Sequence, residues 1–336
     1  MSLVKPLRVL QVGLGPIGQS AARSVLTRRD LTLAAAADIA PALAGKDLEE
    51  VLGGGAGAGL RIDGDLAACV ARVKPDVALH TTGSRLAAVA EQFETLLEGG
   101  AHVVSTTEEL SWPWRRNGAL ARRLDAAARA AGRTLLGTGV NPGFAMDTLP
   151  LTLTSVCRRV DRVTVRRVVD AASRRLPLQK KIGAGLEAPE FRRLAAAGML
   201  GHVGLVESLD LLAACLGFGA LEIEERIEPV LATVEFESGG ARFPAGRVAG
   251  LHHTARGTAP GKERISLDLS MYVGAPDPAD EITIEGDPPI TSRIAGGIAG
   301  DAATVAILVN AARRAAEAPA GLRTMAEIPP AFWPGA

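Results

Sequence analysis

Two carboxylates, Glu108 and Glu109, stand just beyond a short apolar run, His102–Val103–Val104–Ser105. A carboxylate in such a place can accept a proton, return it or hold a cation. It can equally sit at the positive end of a helix and do no chemistry. Glu109 suits that second role, or a salt bridge. Glu108, nearer the run, is the candidate catalytic group. Small polar residues gather after three other apolar runs. They are Gly13–Leu14–Gly15–Pro16–Ile17–Gly18, Thr81–Thr82–Gly83–Ser84 and Gly137–Thr138–Gly139–Val140–Asn141–Pro142–Gly143–Phe144. Turn chemistry explains any one of them. Four in succession, counting Ser105–Thr106–Thr107, favour a ligand lying against backbone.

The first of these stretches is G-x-G-x-x-G between a strand-like and a helix-like segment. Gly13 permits a tight turn, Gly15 lets backbone approach a pyrophosphate, and Gly18 lets helix and strand pack closely. The helix start offers unpaired N–H groups to the phosphates. Asp38 closes a second apolar run, Leu31–Ala37, at the distance expected for a ribose contact. The candidate cofactor residues are Gly13, Gly15, Pro16, Ile17, Gly18, Asp38, Thr81, Thr82, Gly83 and Thr107. Asp38 repels a 2′-phosphate and so favours NAD; Lys46 and the loop backbone keep NADP open.

The remaining reactive side chains say less. His80 and His102 flank apolar runs, His202 follows Gly201, and His252–His253 lies in a strand-like stretch. None has metal-site spacing, so no metal is expected. Cys69, Cys157 and Cys215 are scattered in apolar settings and read as reduced core residues. Trp112–Pro113–Trp114 suits a pocket wall or a packing anchor.

The elements that carry these residues alternate strand and helix up to Gly137. Such alternation implies α/β architecture, a doubly wound parallel sheet of the Rossmann type. Ligands bind such sheets beyond the carboxyl ends of the strands, where all four stretches lie. Asn117 is placed to cap a helix running to Ala131. Beyond Gly139 the pattern changes. A helix is expected over Ala145–Ser155, a strand over Arg162–Val168, and helix over Pro189–Leu216 with breaks at Gly198 and Gly201. From Leu221 apolar and polar residues alternate, as in Ile265–Val273 and Glu281–Glu285, which predicts antiparallel strands with one wet face. A second, α+β domain on a mainly antiparallel sheet follows. The expected division is 1–140 for the dinucleotide domain, with 300–336 a candidate to pack back on it, and 141–299 for a substrate and dimerisation domain.

The 336 residues carry no net charge, which argues against nucleic acid or an acidic membrane as partner. No apolar run is long enough to span a bilayer and no signal segment opens the chain, so a cytoplasmic protein is expected. The wet sheet face makes a homodimer the expected assembly.

Several blocks together resemble the 2,4-diaminopentanoate dehydrogenase family: the glycine loop, Gly45–Leu48, Lys74–Val77, Glu108–Glu109 with Pro113–Trp114, Gly137–Phe144, Arg158–Val163 and Gly201–Gly204. The resemblance runs to about His252 and weakens beyond. That family is similar to dihydrodipicolinate reductase in its N-terminal half and includes amine dehydrogenases acting on simple ketones and amines. It implies NAD(P)-dependent reductive amination with ammonia, or the reverse deamination, with Glu108 as the catalytic carboxylate. It carries over Asn141, Pro142, Gly143, Phe144, Ala145 and His202 as substrate residues. Ala145 replaces a bulkier residue, which suits larger ketones, although alanine also suits a helix there. Arg174, Arg175, Lys180 and Lys181 are candidate partners for a substrate carboxylate, as the diaminopentanoate reaction requires. Two alternatives stand further off. His252–Arg256 and Gly257–Pro260 match the dicarboxylate segments of dihydrodipicolinate reductase only faintly, and a non-catalytic NAD(P) sensor lacks a use for Glu108.

Overall fold

The structure is a computed structural model and describes residues 5–172 and 176–335. Arg174 and Arg175 lie outside the described residues. The chain divides into two units, Met1–Phe144 with Ala299–Ala336, and Ala145–Ile298.

The first unit opens with β1 (Leu7–Val12), α1 (Pro16–Leu26), β2 (Leu31–Ala37), α2 (Leu48–Leu52), β3 (Ile62–Asp63), α3 (Leu66–Val73), β4 (Val77–His80), α4 (Leu86–Glu98), β5 (His102–Ser105), α5 (Gly118–Ala130) and β6 (Thr134–Gly137). In the second unit come α6 (Thr148–Leu153), β7 (Arg159–Asp170), α7 (Leu176–Lys181), α8 (Ala188–Ala196), α9 (Leu205–Cys215), β8 (Glu222–Leu231), β9 (Phe236–Ser238), β10 (Ala241–Phe243), β11 (Val248–Ala259), β12 (Lys262–Tyr272), β13 (Ala279–Asp287) and β14 (Ile290–Ala295). The chain returns to the first unit with α10 (Gly300–Glu317) and β15 (Gly321–Arg323).

Among the described residues the first unit holds one parallel sheet in the order β15-β6-β5-β4-β1-β2-β3. Strand residues alternate between its faces. Val9 joins α1 and α10 in one core, while Leu10 and Val12 join α3, α4 and α5 in the other. Helices on both faces make the sheet doubly wound and bury its strands on both sides. All strands point the same way, so their carboxyl ends share one edge. That edge collects the four polar stretches.

The second unit is built on a sheet in the order β14-β13-β7-β12-β11-β8. Its pairs are antiparallel except β7 with β12, which is parallel. That parallel pair is a departure from purely antiparallel pairing. The inner face buries Val163, Val165, Leu251, Ile265, Leu267, Leu269, Ile282 and Ile284, and α9 packs on β11 and β12. The other face carries Arg162, Arg166, His252, Asp268, Glu281 and Arg293 in ion pairs.

Local chemistry adjusts several boundaries. The helix expected over Ala145–Ser155 starts only at Thr148, because the Asp147 side chain caps it, and it ends in a 3-10 turn at Thr154–Val156. Gly198, Gly201 and Gly204 all have positive φ and separate α8 from α9. Asn117 stands at the start of α5 but makes no side-chain cap. Its amide instead reaches the Glu109 carboxylate, at 3.4 Å. Only Cys69 is a core cysteine; Cys157 is half-buried and Cys215 exposed. Among the described residues no helix is long and apolar enough to cross a membrane.

Candidate active site

The glycine loop shows which of its glycines the protein itself requires. Gly13 has φ +85°, and a Cβ there would lie 2.9 Å from the Thr82 methyl group. A Cβ at Gly18 would lie 1.9 Å from the Gly13 carbonyl oxygen. Gly15 is different: a Cβ there would meet nothing within 4 Å. Gly15 is exposed and precedes α1, whose first residue is Pro16 and whose N-terminus has no side-chain cap. The open space at Gly15 and the unpaired N–H groups behind it fit the pyrophosphate of a dinucleotide.

Two side chains hold this loop in shape. Asp38 accepts the Leu14 N–H at 2.7 Å and the Ala40 N–H at 2.8 Å, so it ties the loop to the end of β2. Each oxygen retains lone-pair capacity for a ribose hydroxyl. Gln11, fully buried in β1, donates to the Gly13 carbonyl at 2.9 Å and contacts Thr81 Oγ1 at 3.0 Å. Thr81 Oγ1 donates to the same carbonyl, at 3.0 Å. Gln11 is not among the residues that the glycine motif marks. Its one signal is an amide inside an otherwise apolar strand, LRVLQV.

Glu108 and Glu109 lie in a single 3-10 turn, Glu108–Leu110, beyond β5. Glu109 is buried and structural. One oxygen accepts the Leu86 N–H at the start of α4, and the other accepts the Arg85 guanidinium, both at 2.8 Å. Glu108 stays half-buried between two buried neighbours, Thr107 and Glu109. The turn rests on the end of β6, where a Cβ at Gly137 would lie 2.6 Å from the Leu110 carbonyl carbon. The next loop is equally tight: a Cβ at Gly143 would lie 2.4 Å from the Gly139 nitrogen. The Asn141–Pro142 bond is cis, and Phe144 packs on the core shared with α10. Trp114 packs on the opposite core and serves as an anchor. Glu108 and the 137–144 loop thus share the strand-end edge with the glycine loop.

Histidines divide by burial. His80 at the end of β4 is fully buried, and burial pushes its pKa down to about 4. His102 is likewise pushed down to about 4, by burial and then by Arg133, and it accepts the Thr134 N–H at 3.1 Å. In the second unit, burial holds His202 well below its ordinary value, helped by Lys181, His253 and Arg167. Among the described residues His202 Nε2 is buried with no hydrogen-bond partner, and its ring centroid lies 6.5 Å from that of His253. Ala145 is fully buried in the same unit, and Lys180 is exposed. His252, on the opposite sheet face, is raised by its bond to Asp268. Among the described residues no group of three His, Cys, Asp or Glu side chains is arranged to hold a metal ion.

The C-terminal part of the chain decides the relationship. Residues 144–333 match the family model of the 2,4-diaminopentanoate dehydrogenase C-terminal domain. The chain belongs to this family. It is 29% identical over 260 residues to the 2,4-diaminopentanoate dehydrogenase of Acetoanaerobium sticklandii, covering 76% of this chain and 74% of that one. An amine dehydrogenase structure from Mycobacterium smegmatis superposes with TM-score 0.87 at 25% identity over 99% of both chains. A scyllo-inositol dehydrogenase from Lactobacillus casei with bound NAD(H) shares the fold, with TM-score 0.54, 16% identity and coverage of 86% and 76%. The fold is that of the nicotinamide-dependent dehydrogenases.

Proposed function

We propose that this family member is an amine dehydrogenase, an oxidoreductase that couples a ketone or aldehyde and ammonia to the corresponding amine with NAD or NADP. The observation that carries this reading is Glu108. It is the carboxylate at the strand-end edge whose neighbours on both sides are turned inward, while it remains half-buried. A bound nicotinamide supplies hydride exchange. Gly15 and the N-terminus of α1 would hold its pyrophosphate, and Asp38 its adenosine ribose. An acidic residue in that position disfavours a 2′-phosphate, so NAD is the preferred form.

Glu108 has two tasks in this reaction. Ammonia attacks a carbonyl only as the neutral base, so the carboxylate takes the proton of ammonium. Returned to the hydroxyl of the addition product, that proton lets the oxygen leave as water; the iminium that forms is cationic, and the carboxylate beside it stabilises the developing charge. Turnover in the amination direction therefore rises toward alkaline pH. Asn141, Pro142, Gly143 and Phe144 in the first unit, and Ala145 and His202 in the second, are the proposed substrate residues. The buried, neutral His202 with its unpartnered Nε2 is suited to a substrate polar group. We place the enzyme in the cytoplasm as a homodimer joined through the ion-paired face of the second sheet.

The likeness to the Acetoanaerobium sticklandii enzyme supports a second reading, in which a 2,4-diamino acid is the substrate. A spectrophotometric screen separates the two. Ketones plus ammonia and amines, 2,4-diaminopentanoate among them, are assayed with NADH or NADPH and their oxidised forms. Turnover of simple ketones supports the first reading, and turnover confined to the diamino acid supports the second. Nucleotide binding without turnover of any amine sinks both.

A further inference from the structure

Beneath Glu108 runs a chain of buried polar groups that the proposed chemistry does not use. His80 Nδ1 lies 2.9 Å from Ser105 Oγ, and Ser105 Oγ lies 2.9 Å from Thr107 Oγ1. Thr107 Oγ1 lies 2.8 Å from the Gly83 carbonyl oxygen, and the Thr107 N–H donates to Ser105 Oγ at 3.0 Å. At the other side of the ring, His80 Nε2 lies 2.8 Å from Thr82 Oγ1 and 2.9 Å from Gln92 Oε1, which also lies 2.9 Å from Thr82 Oγ1. His80, Ser105 and Thr107 are all fully buried.

Counting protons gives this chain a direction. A carbonyl only accepts, so the Thr107 hydroxyl proton goes to Gly83. Thr107 Oγ1 must then accept from Ser105, which spends the single Ser105 proton. Ser105 Oγ is left to accept from the Thr107 N–H and from His80. His80 therefore carries its proton on Nδ1 and its bare Nε2 accepts from the Thr82 hydroxyl, which requires the Gln92 amide to be turned so that its nitrogen, rather than Oε1, faces the ring. The circuit leaves the Thr82–Gly83 loop at one residue and returns to it at the next. On the way it pins Thr107, the residue immediately before Glu108. Glu109, immediately after, is pinned to Arg85 and Leu86.

We infer that His80 is a positioning residue that acts through Ser105 and Thr107 to fix Glu108 against the Thr82–Gly83 loop. The inference rests on the reading of Glu108 as the catalytic carboxylate for its kinetic part and is independent of it for its structural part. Asparagine can mimic Nδ1–H through its own amide, whereas leucine cannot. Thr107→Ser keeps the hydroxyl, whereas Thr107→Val replaces it with a methyl group.

The test compares His80→Asn with His80→Leu, and Thr107→Ser with Thr107→Val, in the full chain. In nucleotide-free protein, nitrogen NMR of His80 is expected to show Nδ1 protonated and Nε2 bare. Hydrogen exchange of the Thr107 amide is expected to accelerate at least tenfold in His80→Leu and Thr107→Val, and to stay near the parent rate in the conservative partners. In turnover, kcat is expected to fall about tenfold in the two disruptive variants, and in His80→Leu, which alters no candidate cofactor residue, KM for the nucleotide is expected to change less than threefold. Nε2-protonated His80, or equal effects within each pair, overturns the inference. If Glu108→Gln keeps full turnover while the Thr107 amide responds as expected, the catalytic reading fails and the positioning circuit stands.

Discussion

The strand-end edge of the first unit and the outer face of the second sheet both spend many polar side chains, in opposite ways. At the edge, Gln11, His80, Ser105, Thr107 and Glu109 are buried, and all but Glu109 are uncharged side chains or a histidine kept neutral by burial. Several of their bonds join residues more than twenty positions apart in sequence. On the outer face, Arg162, Arg166, Glu281 and Arg293 are charged, and several share partners: Glu281 pairs with both Arg166 and Arg293. Loss of one buried partner strands the other at a cost of about 1–3 kcal/mol. Loss of one exposed partner costs about 0–1 kcal/mol. The first arrangement places atoms; the second tolerates substitution.

The largest expected effect tests the edge at its centre. Glu108→Gln keeps shape and removes the base, so the amination rate is expected to fall on the order of 10²- to 10⁴-fold with nucleotide affinity retained. Steady-state rates with ammonia and a fluorescence titration with NADH measure the two quantities. The glycine loop sharpens the same point. Gly18→Ala drives a methyl group into the Gly13 carbonyl, so both thermal stability and nucleotide binding are expected to fall. Gly15→Ala meets no protein atom, so stability should stay within about 0.5 kcal/mol of the parent while nucleotide affinity drops. Equal melting temperatures for parent and Gly18→Ala would contradict this loop geometry.

Legibility follows the same division. The runs Leu31–Ala37 and His102–Ser105 are strands with the boundaries their apolar character predicts. The glycine spacing marks the edge because only glycine satisfies the contacts at Gly13 and Gly18. Glu109 is also legible, since two adjacent carboxylates at one turn cannot both face the same way. The circuit through His80 is not. It joins residues 25 and 24 positions apart, and a buried neutral histidine reads the same in sequence as a charged one on the surface. Strand order in the second sheet is hidden for a related reason. Alternation reports which residues face inward, but it does not say that β7 inserts between β12 and β13.

Acid separates the two regions by sign. His80 has a pKa of about 4 in the folded protein and an ordinary value of 6.5 when unfolded. Between those values the unfolded chain binds a proton that the folded chain refuses, so stability falls as pH drops from about 6.5 toward 4. The gap corresponds to roughly 3 kcal/mol for this fully buried ring. His252 is raised instead, first by its hydrogen bond to Asp268. Its contribution is complete below 6.5 and is lost as pH rises through the raised value. Denaturant unfolding of His80→Asn across pH 4–7 is expected to show a flatter acid limb than the parent. His252→Asn is expected to leave that limb unchanged and to flatten the profile just above 6.5. An identical acid limb for parent and His80→Asn would mean that the ring accepts a proton without unfolding.

The smallest expected effect lies on the outer face. A double-mutant cycle on Arg166 and Glu281 isolates their 3.1 Å pair from the second bond that Glu281 makes with Arg293. In dilute protein the coupling is expected at about 0.2–1 kcal/mol and should shrink further in high salt, because the Arg166 side chain is 57% exposed. Protein concentration then becomes informative. If a second copy of the chain covers this face, the pair loses water on assembly, and the coupling measured by unfolding should change as the concentration is raised. A coupling above about 2 kcal/mol in dilute protein would break the contrast between the two regions, since an exposed pair with a competing partner has no means of reaching that value.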